Sequence, residues 1–265
     1  MAYLFNNDWK HASSRLAGLE RVEDEHTFRI LDRLHIAEGG RCLEVGAGAG
    51  SVAARLCELV GPRGSVVATD IDTRLLSQAN LPQLEIRGHD IARDDLETNA
   101  FDLVHARHVL VHLPKDLLPA ALSKLVASLS TRGVMLVEES SFLSARAEPS
   151  VEVRRRELYE AVLSRIHELY AEGGMLLDLG YQLFDMLGRV GFHCDGAEGR
   201  LRIVRGGSPE AQFHKQTFTQ LRSAVLESSP SAAQRYDAFL RLHDDQQFAY
   251  RTRTTVATWG RKAVV

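Results

Sequence analysis

Only three cysteines, Cys42, Cys57 and Cys194, occur in 265 residues. Their odd number and wide spacing speak against a disulfide framework and a zinc cluster, and they fit a reducing cytosol. Neither sign of charge is in excess: 32 Lys and Arg stand against 35 Asp and Glu, a net charge of -3. Nothing in that balance holds a polyphosphate backbone, so nucleic acid is not an expected partner. No apolar run approaches the roughly 20 residues of a membrane span. The start, MAYLFNNDWKH, lacks the basic residues and long apolar stretch of a signal peptide. Internal repeats and low-complexity segments are missing too. With 45% of residues hydrophobic, the expectation is a cytoplasmic globular chain, monomeric or homodimeric, with no metal. It is long enough for one large domain or a domain with a sizeable insertion.

The hydrophobic pattern then orders the chain. Residues 1–40 read as a helical preface or lid, with an aromatic head of Tyr3, Phe5 and Trp9 and a second helix over about 23–35. From Arg41 the pattern predicts strands over 41–45, 65–71, 84–87, 101–106 and 134–138. Helices are expected between them, over 50–60, 73–79 and 116–130. Continuous apolar strands alternating with helices mean a parallel sheet covered on both faces. After Ser140 the rhythm breaks. Helices are expected over 150–172, 177–190, 208–227 and 231–244, and strands over 197–205 and 248–259. The helices at about 150–172 and 208–244 read as additions to an α/β domain of residues 41–265.

The junction of the first strand and helix reads Leu43-Glu44-Val45-Gly46-Ala47-Gly48-Ala49-Gly50-Ser51. Ligands of open α/β sheets bind beyond the carboxyl ends of the strands, where strand order reverses. Glycines there allow tight turning and close backbone approach, and the next helix offers free N–H groups. A dinucleotide fingerprint wants glycine or alanine three positions after its second glycine; Ser51 stands there instead. Glu44 would face a pyrophosphate unfavourably, whereas beside a sulfonium and an α-amino group its charge is favourable. Asp70 ends the second strand, where it can accept hydrogen bonds from both hydroxyls of a ribose. Asp90 follows the third strand, where it can accept from an adenine N6 amino group. Each such bond contributes roughly 1.5–3 kcal/mol when shielded from water. Read alone, Asp70 can equally cap the next helix and Asp90 can equally sit in a turn.

Residues about 36–140 resemble the class I S-adenosylmethionine-dependent methyltransferases. The resemblance rests on LEVGAGAG at 43–50, VVATDID at 66–72, GHDI at 88–91 and FDLVHARHVLVHLP at 101–114. In style it is similar to bacterial small-molecule enzymes of the ubiquinone-biosynthesis type and their natural-product relatives. It implies an α/β, Rossmann-like, doubly wound seven-stranded sheet, mostly parallel with one antiparallel edge strand, plus added helices. Residues 197–205 and 248–259 match the edge hairpin. The implied cofactor is S-adenosyl-L-methionine, with S-adenosyl-L-homocysteine as product. Gly46, Gly48 and Gly50 match the positions around the methionine part, Asp70 that at the ribose and Asp90 that at adenine; Ile71 and Ile91, next to these acids, count with the cofactor-binding positions. Arg107 matches a contact at the methionine end, and Trp9 falls in a lid.

The implied reaction is an in-line displacement at carbon. The protein holds the nucleophile in line and, where the acceptor carries an acidic proton, removes it. His108 and His112 are base candidates, because imidazole titrates near neutrality and residues four apart share a helical face. Packing or helix capping accounts for either histidine as well, and no further ligands for a zinc site are evident nearby. His105, inside a strand, reads as structural. Glu138 and Glu139 form a second base candidate, partial exposure at the sheet edge being the alternative. The chain lacks the Asn-Pro-Pro-aromatic motif that grips nitrogen in enzymes methylating adenine or glutamine. Tyr159, Tyr170, Met175 and Phe184 are expected to wall an apolar pocket, or equally to belong to the core. The expected activity is methyl transfer to oxygen, nitrogen or carbon of a small organic molecule, in secondary or quinone-type metabolism. The alternatives are an NAD(P)-dependent oxidoreductase and a non-methylating S-adenosylmethionine-binding protein, either a regulator or a cyclase.

Overall fold

A long helix and a run of short parallel strands organise the chain. The computed structural model describes residue 8 and residues 10–76, 81–228 and 232–262. Tyr3, Phe5 and Trp9 lie outside these residues. The chain divides into two compact units. One holds Glu23–Ser140, Leu179–Gly199 and Thr255–Val265, and the other Met1–Val22, Ser141–Asp178 and Arg200–Thr254.

Helix α1 (Ala12–Arg33) is unbroken, where a separate second helix was expected over 23–35. No proline interrupts it, and it stops just before His35, which is left-handed at φ 51. Then follow β1 (Arg41–Val45), α2 (Ser51–Val60), β2 (Ser65–Asp70), β3 (Leu84–Gly88), β4 (Phe101–Arg107), α3 (Leu118–Ser128) and β5 (Leu129–Ser141). The helix expected over 73–79 is described only as far as Leu76, through a turn at 73–75. After β5 come β6 (Arg146–Ala147), α4 (Val153–Glu172), α5 (Leu179–Arg189), β7 (Phe192–Arg200) and β8 (Ile203–Arg205). The chain continues through α6 (Pro209–Ser228), α7 (Ala233–Leu242), β9 (Ala249–Arg251) and β10 (Thr254–Lys262).

Seven strands form one sheet in the order β3-β2-β1-β4-β5-β10-β7. The first five pair in parallel. Lys262, in β10, reaches the carbonyl of Leu129 at the start of β5 at 3.5 Å. Strand β10 therefore runs against β5, and the antiparallel strand lies toward the β7 edge. This is the Rossmann-like, doubly wound sheet. Its order reverses at β1, which puts the carboxyl ends of β1 and β4 at the switch point. Cys42, Val66, Leu103 and Leu136 pack on Ile30 and Leu31 of α1 and on Val52, Leu56 and Val60 of α2. Their continuous burial is why these strands read as apolar runs.

Two expected boundaries move. Helix α3 stops at Ser128 rather than 130, and β5 begins at once. The expected turn at 131–133 survives as a slip in register, from Phe101↔Leu129 to Leu103↔Val134. Gly133 is needed there, since a Cβ would lie 2.7 Å from the Phe101 carbonyl oxygen. The strands expected over 197–205 and 248–259 are each split. Their outer parts are β8 and β9, which join β6 in a separate antiparallel sheet of order β6-β9-β8. Both breaks fall where Arg202 and Thr252 bond each other, the Thr252 hydroxyl accepting from the Arg202 N–H at 3.1 Å.

The second unit surrounds an aromatic core. The Tyr159 ring lies 5.2–5.4 Å from Phe239, Phe248 and Tyr250. Tyr159 and Tyr170 are buried in this core and Met175 packs on it, so the two tyrosines do not wall an open pocket. Phe184, on α5, is 46% exposed. Among the described residues no helix is long and apolar enough to cross a membrane.

Leu103 is fully buried in β4. Leu103→Ala should lower stability by roughly 2–5 kcal/mol, read as a lower urea midpoint. A change below about 1 kcal/mol would place Leu103 outside the core.

Candidate functional site

The loop after β1 is built from left-handed glycines. Gly46, Gly48 and Gly50 have φ of 69, 58 and 99. A Cβ on Gly46 would meet Val109 Cγ2 at 2.2 Å, and one on Gly50 would meet Leu76 Cδ1 at 2.8 Å. The loop thus tolerates no side chain at Gly46. The N–H groups of Gly46 and Ala47 donate to the Thr69 carbonyl at 2.8 and 2.9 Å, tying the loop to β2. Gly50, at the N-cap of α2, makes no side-chain capping bond.

Asp70 ends β2. One of its oxygens accepts from the Gly48 N–H at 2.8 Å and the other from the Asp72 N–H at 2.9 Å. A carboxylate has about four acceptor sites, so capacity remains. Burial raises its pKa, partly offset by the amides of Asp72, Gly48 and Ile71. Ile71 beside it is 60% exposed. Asp90 accepts from the Ala92 N–H at 2.9 Å and lies 3.5 Å from Arg93, the contacts of a turn residue. Ile91 is buried, so its side chain serves the core. The carboxyl ends of β1, β2 and β3 therefore present the glycine loop, Asp70 and Asp90 in succession.

Behind the loop lies a network of buried charge. Strand register sets Glu44 opposite His105 and Arg107 opposite Glu138. Alternate residues share a sheet face, so these four follow Cys42, Leu103 and Leu136 on one side of the sheet. His105 Nδ1 lies 2.5 Å from Glu44 and its Nε2 3.1 Å from Glu138. Helix α1 supplies the rest. Thr27 donates to Glu138 at 2.6 Å, and His26 lies 3.4 Å from Glu138 and 3.2 Å from Glu198. Arg107 donates to Thr27 at 2.7 Å and to Asp24 at 2.8 Å, and Ser51 donates to Asp24 at 3.1 Å.

Burial alone would depress the His105 pKa, but Glu44 and Glu138 outweigh it and hold it up at about 9. Burial likewise opposes charge on Glu138, yet His105, His26 and Arg107 keep it well below the usual carboxylate range. His105 is thus a cation clamped between two anions. Glu44, expected to face a ligand, is answered by His105. Arg107, expected at a cofactor's methionine end, turns inward to Asp24 and Thr27. Sequence reasoning missed Asp24, His26 and Thr27. Part of the signal was present: Glu23, His26, Thr27, Ile30 and Leu31 recur at helical spacing, and all are buried.

His108 and His112 do not share a helical face. His108 is left-handed at φ 56, and only Leu110–His112 form a 3-10 turn. The His108 imidazole lies 3.3 Å from Ser140 Oγ and 3.8 Å from Glu23. Glu138 and Glu139 are not partly exposed at an edge: β5 is an inner strand, and they are 1% and 0% exposed. Glu139 Oε1 accepts from the N–H groups of Val109 at 3.0 Å and Leu110 at 2.7 Å. Its Oε2 has no hydrogen-bond partner among the described residues. Burial pushes the Glu139 pKa up to about 8.

These shifts set a pH dependence. The His105 contribution is full below about pH 6.5 and lost as pH rises through 9. That of Glu139 is full below its ordinary range and lost as pH rises through 8. Glu138 acts oppositely, contributing above its ordinary range and losing that contribution in acid. Stability should therefore fall by roughly 1–3 kcal/mol between about pH 6.5 and 9.5 in urea denaturation. A flat profile over that interval would remove the His105 imidazolium from the network.

Residues 19–157 match the family described as "Methyltransferase domain". A Thermoplasma volcanium protein named "Probable cobalt-precorrin-6B C(15)-methyltransferase (decarboxylating)" is 34% identical over 67 residues, covering 25% of this chain and 33% of that protein. Methyltransferase HEMK2 of Mus musculus is 35% identical over 100 residues, 36% of this chain and 39% of that protein. The chain thus matches well under half the length of these relatives. The solved structure of the YcgJ protein of Bacillus subtilis covers 91% of this chain and 100% of its own, with 14% identity and a TM-score of 0.57, a likeness of fold. The chain belongs to the methyltransferase-domain family and has the fold of the class I S-adenosyl-L-methionine-dependent methyltransferases.

Proposed function

We propose that the protein transfers a methyl group from S-adenosyl-L-methionine to oxygen, nitrogen or carbon of a small organic molecule. The observation that carries this reading is the glycine loop after β1, closed so tightly on Val109 that Gly46 admits no side chain. In this reading Gly46, Gly48 and Gly50 lie along the methionine part. Asp70 keeps acceptor sites for the ribose hydroxyls, and exposed Ile71 covers an apolar ring face. Asp90 and the backbone at Ile91 meet the adenine amino group. Glu44 and Arg107 act from behind the loop, as members of the buried network. Residues 23–33, expected in a lid, instead pack on the sheet through Ile30 and Leu31, and Trp9 lies outside the described residues.

The bound cofactor supplies an electrophilic methyl group on a sulfonium sulfur. The chain's own work is to hold that group, exclude water and align the acceptor. His108 is the first base candidate, its imidazole held between Ser140 and Glu23. His112 is the second. A small acceptor is supported by the balanced charge. It is supported also by the loop after β4, which carries Ala106-Arg107-His108-Val109-Leu110 in place of an amide-gripping motif.

Titration with S-adenosyl-L-homocysteine should give saturable binding, and Asp70→Ala should weaken it about tenfold or more. Unchanged affinity removes Asp70 from the site, and binding of NAD alone overturns the cofactor assignment. Methyl-labelled cofactor offered with phenols, amines and carbon acids should label one small acceptor. Label confined to macromolecules overturns the acceptor class, and cofactor binding with no label in any acceptor favours the non-methylating reading.

A further inference from the structure

We propose that Glu139 is a positioning residue: its carboxyl holds the loop after β4 so that Val109 stays seated against Gly46 and the cofactor loop keeps its shape. The inference rests on reading the glycine loop as the cofactor site. Glu139 follows Glu138 directly, so the pleat of β5 sends the two side chains to opposite faces of the sheet. Glu138 joins the buried charges under α1. Glu139 turns to the backbone of Val109 and Leu110, whose two amides share its Oε1.

Those amides lie in a segment that local preference does not shape. His108 is left-handed, a conformation disfavoured for a residue with a Cβ. The segment is held from β5 at three successive amides. The His108 N–H donates to the Glu138 carbonyl at 2.9 Å, and those of Val109 and Leu110 donate to the Glu139 carboxyl. The side chain fixed in this way is the one that occupies the space beside Gly46. The chain of contact therefore runs from Glu139 Oε1, through the Val109 amide and side chain, to the cofactor loop. A carboxyl is a costly group to bury when one oxygen lacks a partner, as Glu139 Oε2 does among the described residues. Core packing alone would be served by an apolar side chain.

Calorimetry with S-adenosyl-L-homocysteine on the full chain tests the proposal, using wild type, Glu139→Gln, Glu139→Leu, Val109→Ala and the double variant Glu139→Leu/Val109→Ala. Glutamine keeps an oxygen for both amides and should bind within about threefold of wild type. Leucine keeps bulk but offers no acceptor and should bind about tenfold more weakly. Val109→Ala should lose about fivefold. The double variant should be no weaker than Glu139→Leu alone, because both changes break one chain of contact. Wild-type affinity in Glu139→Leu with only a lowered thermal midpoint would reduce Glu139 to a structural role and overturn the proposal. Losses that simply multiply in the double variant would overturn it too. If Glu139→Leu does not fold, Val109→Ala decides: unchanged affinity there defeats the proposal. Absence of binding by the wild-type chain would instead bring down the cofactor reading on which the inference stands.

Discussion

A carboxylate buried at the end of an inner parallel strand is the constraint from which most of this structure follows. Glu138 is almost wholly removed from water. An ion in that position is tolerated only when paired and fully hydrogen-bonded. Here it receives His105 from β4 and Thr27 and His26 from α1. None of these partners is local in sequence. The sheet register must be correct for His105 to reach Glu138, and α1 must lie along the sheet for Thr27 to do so. Removing one partner of such a set strands the others, at a cost of roughly 3–5 kcal/mol. That cost ties the Glu23–Arg33 half of α1 to the unit holding the sheet.

The network also explains a gradient along the strands. At their starts the α1-facing residues are Cys42, Leu103 and Val134, all apolar and buried. Toward their ends they become Glu44, His105, Arg107 and Glu138. Apolar packing thus secures the amino ends of the strands, and hydrogen-bonded charge secures the carboxyl ends. Only the second kind of support leaves polar groups and bare backbone at the switch point, where a ligand of this fold binds. Ser51 and Arg107 share Asp24, so one residue of α1 braces the start of α2 and the end of β4 together.

What was legible in the sequence was local. Glycines that must be left-handed, apolar runs long enough for buried strands, and acids closing those runs are all written within a few residues. They located the five parallel strands, the glycine loop, Asp70 and Asp90, while the seven-stranded sheet was implied by the family resemblance. What escaped was set by distant pairing. Glu138 and Glu139 look equivalent in sequence, and the pleat alone sends one to the buried charges and the other to the loop after β4. Arg107 reads as ligand-facing from the family resemblance, and its partners, Asp24 and Thr27, stand 80 and more positions away. The breaks fall at Leu201–Arg202 and Thr252–Arg253, and none of these four residues is the Gly or Pro that would mark a break.

The same network bears on which ligand suits the switch point. Around His105 and Arg107 stand four carboxylates, those of Glu23, Asp24, Glu44 and Glu138. Against them stand the two cations that the cluster itself holds charged, His105 and Arg107, and the acids outnumber these. Glu44 taken alone suggested a negative charge facing the ligand directly. With His105 opposite, the negative field is instead a property of the whole cluster and acts from beneath the loop. Such a residual field favours a cationic group at the loop and opposes a pyrophosphate. A pyrophosphate is therefore disfavoured at the loop despite the inward turn of Glu44 and Arg107, through the balance of these six charges rather than through one residue of a motif.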